Sequence, residues 1–512
     1  MNKKYDRAFW ILFFVFFLTR LLSIAKFELF SDEAFYWLHS KFLDLCYQFN
    51  PPVYAYLIRF FTVLFGDSPF AIRIMSLASW VGLTIILYLF SSEITNKRVA
   101  FYSVLVINLL PVFIPVGFIT IPDMPFLFFW MLAIFYLWKI FGKDSPSPSL
   151  WYKAGISLGF GLMSKYFMVL LAPCVFVYLL LSHKNKYWLK RKEPYIALAI
   201  AFFMMSPAII WNIAHKLSSI ELHFKGRHAV ETIPLVGNKF LYYVLSQSAI
   251  ITPVIFLLVI AAMAYAVITG LRNRRDDLLF LSLTSAPVLL FFAAWALFVK
   301  VKPHWTCYSY LTSVILLVML METVFVSLKS RLARFLILLP FAATFIPILL
   351  TLLIVLSAVT GYLKYFPLPA EAKSYLYARF DFVPDIWTRS GQYINEVYED
   401  LSKDSKGVFI FGTKEYMTIS LAAYYTGKPF QSYLLEPVIL AEQFLYWQKP
   451  ERLKKLEGFN AVAVGKPWHF ENFPFSKYFS SVKEVKPVEY MSKGQLKKKV
   501  VIYRCYGFKN PS

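Results

Sequence analysis

A chain of 512 residues that is 58% hydrophobic and 19% aromatic, with a mean hydropathy of +0.56, carries more apolar side chains than one soluble core would bury. Apolar runs of about 20 residues recur along the first two-thirds of it, each long enough to cross a bilayer, so the chain reads as a polytopic membrane protein. The net charge of +23 does not indicate nucleic acid, because much of the excess falls in short loops between apolar runs, where the positive-inside rule places it.

The first run, Phe9 to Ala25, is long and lacks a small-residue cleavage site, so it is expected to span the membrane rather than to be removed as a signal. Directly after it comes Phe30-Ser31-Asp32-Glu33-Ala34-Phe35-Tyr36-Trp37. Two adjacent carboxylates where a helix leaves the bilayer are costly beside hydrocarbon and point to chemistry at the membrane surface. A polar loop with an aromatic belt is the plainer alternative, and position alone weighs the two equally. The following run Val53 to Phe65 is amphipathic, with Arg59 on one side, and is expected to lie on the membrane surface. Asp123 opens an apolar helix after Thr120-Ile121-Pro122, where a simple N-terminal cap is the first reading.

Basic loops fix an expected orientation. Asn2 to Arg7, Thr95 to Arg98, Gly142 to Lys153, His183 to Lys192, Arg272 to Arg275 and Lys329 to Arg331 all belong inside. If Ala154 to Leu181 were one helix, the basic cluster Lys184 to Arg191 would fall outside. Two short helices joined at Ser164-Lys165-Tyr166 avoid this, and broken helices are tolerated where they line a protein cavity. Lys165 would then face an outward-opening cavity rather than snorkel from a straight helix. The count becomes about eleven membrane helices, with the N-terminus inside and the C-terminus outside. From about Tyr362 the composition turns polar and the apolar runs shorten. Residues 1–361 are thus expected to form the membrane domain, and residues 362–512 a soluble α/β domain on the outer face. Strands are expected at Gly407 to Gly412, Asn460 to Gly465 and Val500 to Tyr503, with a helix at Met417 to Tyr425. The basic segment Lys493 to Lys499 is either a solvated surface or a patch for anionic lipid headgroups. Cys46, Cys174, Cys307 and Cys505 match no metal or disulfide spacing.

The loops assigned to the outer face carry Asp32, Glu33 and Asp123 together with Lys165, His223, Lys225, Arg227, His228, Lys302 and His304. Cations suit a phosphate headgroup, and carboxylates suit a general base or the orientation of a sugar hydroxyl. A lipid-phosphate substrate with a polar acceptor needs both. Trp305, beside His304, also fits a simple interface anchor, and the histidines of the His215 to His228 loop show no zinc spacing.

In order and spacing, Ser31 to Trp37, Asn50-Pro51-Pro52, Leu64 to Ser68 with Ala71-Ile72-Arg73, Pro122 to Pro125, Met163 to Tyr166, Trp211-Asn212 with Phe224 and Arg227, and Lys302 to Trp305 resemble the GT-C glycosyltransferases of the bacterial protein-mannosyltransferase-like superfamily. The similarity is greatest to the lipid A aminoarabinose and galacturonic acid transferases. Glu415-Tyr416 with Leu421 to Tyr425 looks like that family's outer domain. The resemblance implies a GT-C fold and an inverting transfer of a hexose or pentose from a polyprenyl-phosphate carrier to lipid A or another envelope acceptor. It places the enzyme, multi-pass, in the bacterial inner membrane, with a cytoplasmic N-terminus and a periplasmic C-terminal domain. By the same resemblance Asp32, Glu33 and Asp123 are the catalytic candidates. The same resemblance makes Lys165 and Arg227 the holders of the donor phosphate; Lys302 and His304, cations of the same face, are expected to join them, and Tyr36, Arg59 and Trp305 are expected to line the cavity. No cofactor is required; a divalent metal fits the scheme, but nothing in the sequence marks one. The sequence departs from the family pattern at Phe49-Asn50, where Asp-His is usual, and at Thr306, where Pro is usual. Both departures bear on the sugar or acceptor more than on the reaction class. A protein O-glycosyltransferase using the same carrier is the alternative enzyme. A lipid or solute transporter is less consistent with ionisable residues gathered at one face and no evident repeat, and a membrane scaffold leaves the charged loops without a role.

Overall fold

The computed structural model describes residues 2–143, 146–222, 238–328, 330, 385–437, 441–492 and 495–510. Among these, five helices are long and apolar enough to cross a membrane: Pro69–Ile94, Asp123–Phe141, Pro253–Asn273, Asp276–Trp295 and Ser309–Ser327. Glu193–Met204 and Ser206–Ala214 make a sixth span if they are counted together, bent by 47° at their junction. The protein is a multi-pass membrane protein. The expected count of about eleven is not reached among the described residues. Some of the apolar length is in short helices such as Val53–Phe65, and the apolar stretch after residue 330 lies outside the described set.

The helices pack where the sequence is small. The Ser149–Leu162 helix lies against Glu193–Met204 through Gly155, where an added Cβ would sit 2.6 Å from the Ala197 carbonyl oxygen. Small residues of this kind are what allow membrane helices to approach closely. Ser149–Leu162 ends as expected before Lys165, whose backbone is extended (φ −157°, ψ 132°). The chain resumes as a 3₁₀ turn, Tyr166–Leu170, and the helix Leu171–Leu181. The break thus places a charged side chain partway along an otherwise apolar segment.

Among the described residues the C-terminal domain holds six strands: β1 (Val408–Lys414), β2 (Ser432–Pro437), β3 (Asn460–Gly465), β4 (Phe479–Glu484), β5 (Val488–Ser492) and β6 (Gln495–Phe508). The sheet order is β2-β1-β3-β6-β4, with β5 paired to β6. β1 runs parallel to both β2 and β3, with Phe411 opposite Tyr433 and Ile410 opposite Val462. β3 and β6 are antiparallel, with Ala461 opposite Cys505. The central strands are apolar on both faces, as strands covered on both sides must be. Ile410, Val462 and Ile502 face the helices Ile386–Ser402 and Tyr416–Thr426, while Phe409, Ala463 and Val501 pack on Phe470, Phe473 and Phe479. The Tyr416–Thr426 helix stops at Gly427, whose φ of +69° suits a residue without Cβ. The expected strands and helix are all present; β2, β4 and β5 were not anticipated.

The helical face of this domain shares one apolar core with the first loop: Phe35, Trp37, Leu38 and Tyr54 are buried together with Ile386, Ile419, Phe444 and Trp447. Polar contacts fix the docking. Thr388 donates to Glu28 through its backbone N–H and its hydroxyl, each at 2.7 Å, and the Leu29 N–H donates to the Tyr425 hydroxyl at 2.8 Å. The Gln48 N–H donates to Gln443 Oε1 at 2.8 Å. His39 sits fully buried in this interface between Phe35, Tyr47 and Trp447, and burial holds its imidazole down to about 3.

Candidate active site

A cavity of about 520 Å³ opens where the first loop, the broken helix and the segment after Val301 meet. Asp32, Tyr36 and Asn50 reach it from the first loop, and Asp123 and Lys165 from the helix ends. Lys302, His304 and Trp305 close a third side, and the stretch from Pro111 to Pro122 forms an apolar wall. Seven residues singled out in the sequence, spread from Asp32 to Trp305, therefore share one space.

Each is placed by its local structure. Asp32 lies in the first turn of the Ser31–Lys41 helix, where the helix dipole favours a negative charge. Its Oδ1 accepts a hydrogen bond from the Tyr416 hydroxyl at 3.3 Å. Asp123 opens the Asp123–Phe141 helix without a capping hydrogen bond from its Pro122 N-cap, and its Oδ1 accepts from Lys165 Nζ at 2.6 Å. That pair is largely buried, with side-chain exposures of 7% and 10%. The Lys165 ammonium also lies over the Phe167 ring, 5.3 Å from its centroid. The Pro303–Thr306 turn is held by Gln247: its Nε2 donates to the Pro303 carbonyl at 3.1 Å, and the Thr306 hydroxyl donates to its Oε1. Thr306, one of the departures from the family pattern, thus supplies a hydrogen bond that proline could not. Trp305 is buried against Phe167, ring centroids 5.2 Å apart.

Two expected site residues lie elsewhere. Glu33 points away from the cavity and is wholly buried. Its Oε1 accepts from Arg73 Nε and the Thr120 N–H, each at 2.8 Å, and its Oε2 from Arg73 Nη2 at 2.6 Å and the Phe30 N–H at 3.0 Å. A carboxylate receiving four donors and turned from the cavity is placed as an anchor for the first loop. Arg59 is on the exposed side of the Val53–Phe65 helix and does not line the cavity, because its neighbours Tyr54, Ala55 and Ile58 take the buried side. Arg227, with His223, Lys225 and His228, lies outside the described residues. Among the described residues no three His, Cys, Asp or Glu side chains gather into a metal site.

The sequence reading missed the Pro111 to Pro122 wall, Asn50 and the hydrogen bond from Tyr416. Asn50 carried a signal, since it is the other departure from the family pattern and precedes two prolines. Tyr416 belonged to the outer-domain likeness, but nothing tied it to Asp32, 384 residues away in sequence. Beside Tyr416, burial pushes the Glu415 carboxyl up, but the His469 hydrogen bond and the Lys466 charge outweigh it and hold Glu415 at about 2.

The chain is similar to several known proteins. Residues 50–211 match the family described as dolichyl-phosphate-mannose-protein mannosyltransferase. The chain is 25% identical over 306 residues to the lipid A galacturonosyltransferase RgtD of Rhizobium johnstonii, an alignment spanning 59% of this chain and 62% of that protein. It superposes on ArnT from Cupriavidus metallidurans bound to undecaprenyl phosphate with a TM-score of 0.66, at 13% identity, over 96% of this chain and 97% of that one. The chain has the GT-C fold. The same GT-C architecture extends to the Archaeoglobus fulgidus oligosaccharyltransferase AglB, with a TM-score of 0.53 and 12% identity over 99% of this chain and 74% of that one. The GT-C likeness read from short ordered motifs thus covers nearly the whole length of the chain, including the C-terminal sheet.

Proposed function

We propose that the protein moves a sugar from a polyprenyl-phosphate carrier to an envelope acceptor, lipid A or lipopolysaccharide, at the periplasmic face of the bacterial inner membrane. One observation carries the proposal: a polar cavity and an apolar groove meet at consecutive residues. Lys165 faces the polar cavity, while Tyr166, Phe167, Val169 and Leu170 begin a groove of about 360 Å³ walled by Met205, Ile209 and Trp295. A ligand with a phosphate head and an isoprenoid tail fits that junction. The undecaprenyl phosphate named with ArnT and the lipid A named with RgtD support the carrier and the acceptor class.

In this scheme an acceptor oxygen attacks the anomeric carbon, the bond from that carbon to the phosphate oxygen breaks, and polyprenyl phosphate leaves with the electron pair. Charge grows on the leaving oxygen, where Lys165 and Lys302 are placed to meet it. A preorganised donor of this kind is worth ~3 kcal/mol in the transition state. Asp32 takes the proton of an acceptor hydroxyl. If the acceptor is already an ionised phosphate, Asp32 orients it instead. Direct displacement inverts the anomeric centre. A protein acceptor is the second reading, favoured by the family description that matches residues 50–211.

Mass spectrometry of lipid A from cells carrying the wild type or Asp32→Asn tests the proposal. A sugar mass present only with the wild type is expected. Identical lipid A from both, with the protein folded and the donor present, would overturn the lipid A assignment and move the search to glycoproteins.

A further inference from the structure

We infer that Tyr416 makes the C-terminal domain part of the catalytic centre by holding Asp32 as an ionised, oriented carboxylate. The inference rests on the transferase reading above and deepens it, since a separately folded domain would then govern the base of the membrane site.

The contact is built from both sides. Tyr416 is the first residue of the Tyr416–Thr426 helix, directly after the β1 strand. The residues before it are constrained: Lys414 adopts φ +66°, an uncommon value for a side-chain-bearing residue, and Glu415 receives His469, Lys466 and the Thr418 hydroxyl (the last at 2.9 Å). His469 is fully buried, accepts the Lys466 N–H on Nδ1 at 3.2 Å, and brings its Nε2 to 3.1 Å from Glu415 Oε1. The β1 corner is therefore pinned to the β3 end of the sheet, and the tyrosine leaves it in a fixed direction. On the membrane side its ring lies 4.2 Å from that of Phe35 and 5.6 Å from that of Phe49. Phe35 is one helical turn from Asp32, so one face of the Ser31–Lys41 helix presents both the packing partner and the hydrogen-bond acceptor.

The chemistry follows from the donor. A hydroxyl donating to a carboxylate favours its charged form and lowers its pKa. It also holds the side chain in one orientation, which a base must keep to meet an acceptor hydroxyl at hydrogen-bond distance. Tyr416 is thus a positioning residue acting through Asp32, and it makes activity depend on the docking of the C-terminal domain.

The test is Tyr416→Phe in the full-length protein, which keeps the ring and removes the hydroxyl. Turnover is followed as release of polyprenyl phosphate across pH. The expected result is a kcat about tenfold lower, the size of one hydrogen bond to a charged group, with the KM for the donor unchanged. The acid limb of the rate profile should move up by about one pH unit. Independently of turnover, infrared difference spectra between acid and neutral pH report Asp32 as the carboxyl band that vanishes in Asp32→Asn. That band should titrate at higher pH in Tyr416→Phe. A rate profile and a titration both equal to wild type overturn the inference. If the wild type itself transfers no sugar, the transferase reading fails, and the infrared titration alone decides the role of Tyr416.

Discussion

Glu33→Gln separates an anchor from a catalyst. Four donors converge on the two carboxylate oxygens of Glu33, all within 3.0 Å. Glutamine keeps the shape but turns one oxygen into an NH₂, so two donors on that side would face another donor. Arg73 would also lose its counter-charge in a site with no exposure on either side chain. Removing one partner of a buried ion pair costs about 3–5 kcal/mol, a large share of the 5–15 kcal/mol that typically separates folded from unfolded. For a chain of this length a loss of that size lowers a melting midpoint by roughly 3–5 °C. The assay is thermal unfolding of the purified protein in detergent, followed by intrinsic fluorescence, with turnover measured well below the lowered midpoint. Glu33→Leu with Arg73→Leu should not restore stability. Arg73 also donates to the Ile24, Phe27 and Glu28 carbonyls at 2.8–2.9 Å, and the double change orphans all three. A Glu33→Gln protein as stable as wild type yet inactive would refute the anchor and return Glu33 to the chemistry.

Two further outcomes follow from the same geometry. Asp123→Asn should lower kcat while lowering the KM for the polyprenyl-phosphate donor, measured by steady-state kinetics; a raised KM with unchanged kcat would contradict the role given to the pair. Acidification should loosen the C-terminal domain. His39 is held down to about 3 by burial, below its free value of 6.5, so its contribution is whole above pH 6.5 and is lost as pH falls below it. By pH 4.5 the loss is about 2–3 kcal/mol. Glu415, held at about 2 against a free value of 4.5, adds to the loss only below pH 4.5. Limited proteolysis of the full chain between pH 7 and 4.5 should show faster release of the C-terminal domain at the acid end, and His39→Phe should remove that dependence. Equal cleavage patterns in wild type and variant across the range would rule out His39 as the cause.

Much of the site was legible because membrane energetics penalise charge. Lys165 stands in an apolar segment, and the charge rule for loops demanded a break beside it; the extended Lys165 backbone supplies that break. Asp123 and Lys302 were visible for the same reason, as charges at the ends of apolar helices. Glu33 was grouped with the catalytic candidates because its sequence neighbour Asp32 offers the same chemistry. Only the position of Arg73, forty residues on, decides which carboxylate turns inward. Arg59 was misread because helical periodicity gives an amphipathic helix two faces without saying which one meets a cavity. The strands β1, β3 and β6 declared themselves by apolar runs, whereas β4, Phe479–Glu484, has mostly exposed or half-exposed side chains and a mixed sequence that could equally be loop. The pairing of Tyr416 with Asp32 lay beyond any local signal.

The charges of the cavity suggest why Asp123 sits where it does. Among the described residues lining it, two carboxylates, Asp32 and Asp123, face two lysines, Lys165 and Lys302, with His304 able to add a proton. At rest the set is close to neutral, so it does not grip a singly charged phosphodiester strongly. In the proposed transfer, as the glycosidic bond breaks the phosphate would become a monoester and gain charge, and Lys165, 2.6 Å from Asp123, would lean from the carboxylate toward the leaving oxygen. The attraction then grows along the reaction coordinate, which is the kind of binding that raises kcat rather than only lowering KM. Without Asp123 the lysine would spend its charge on the ground state, and tighter donor binding with slower transfer is the consequence.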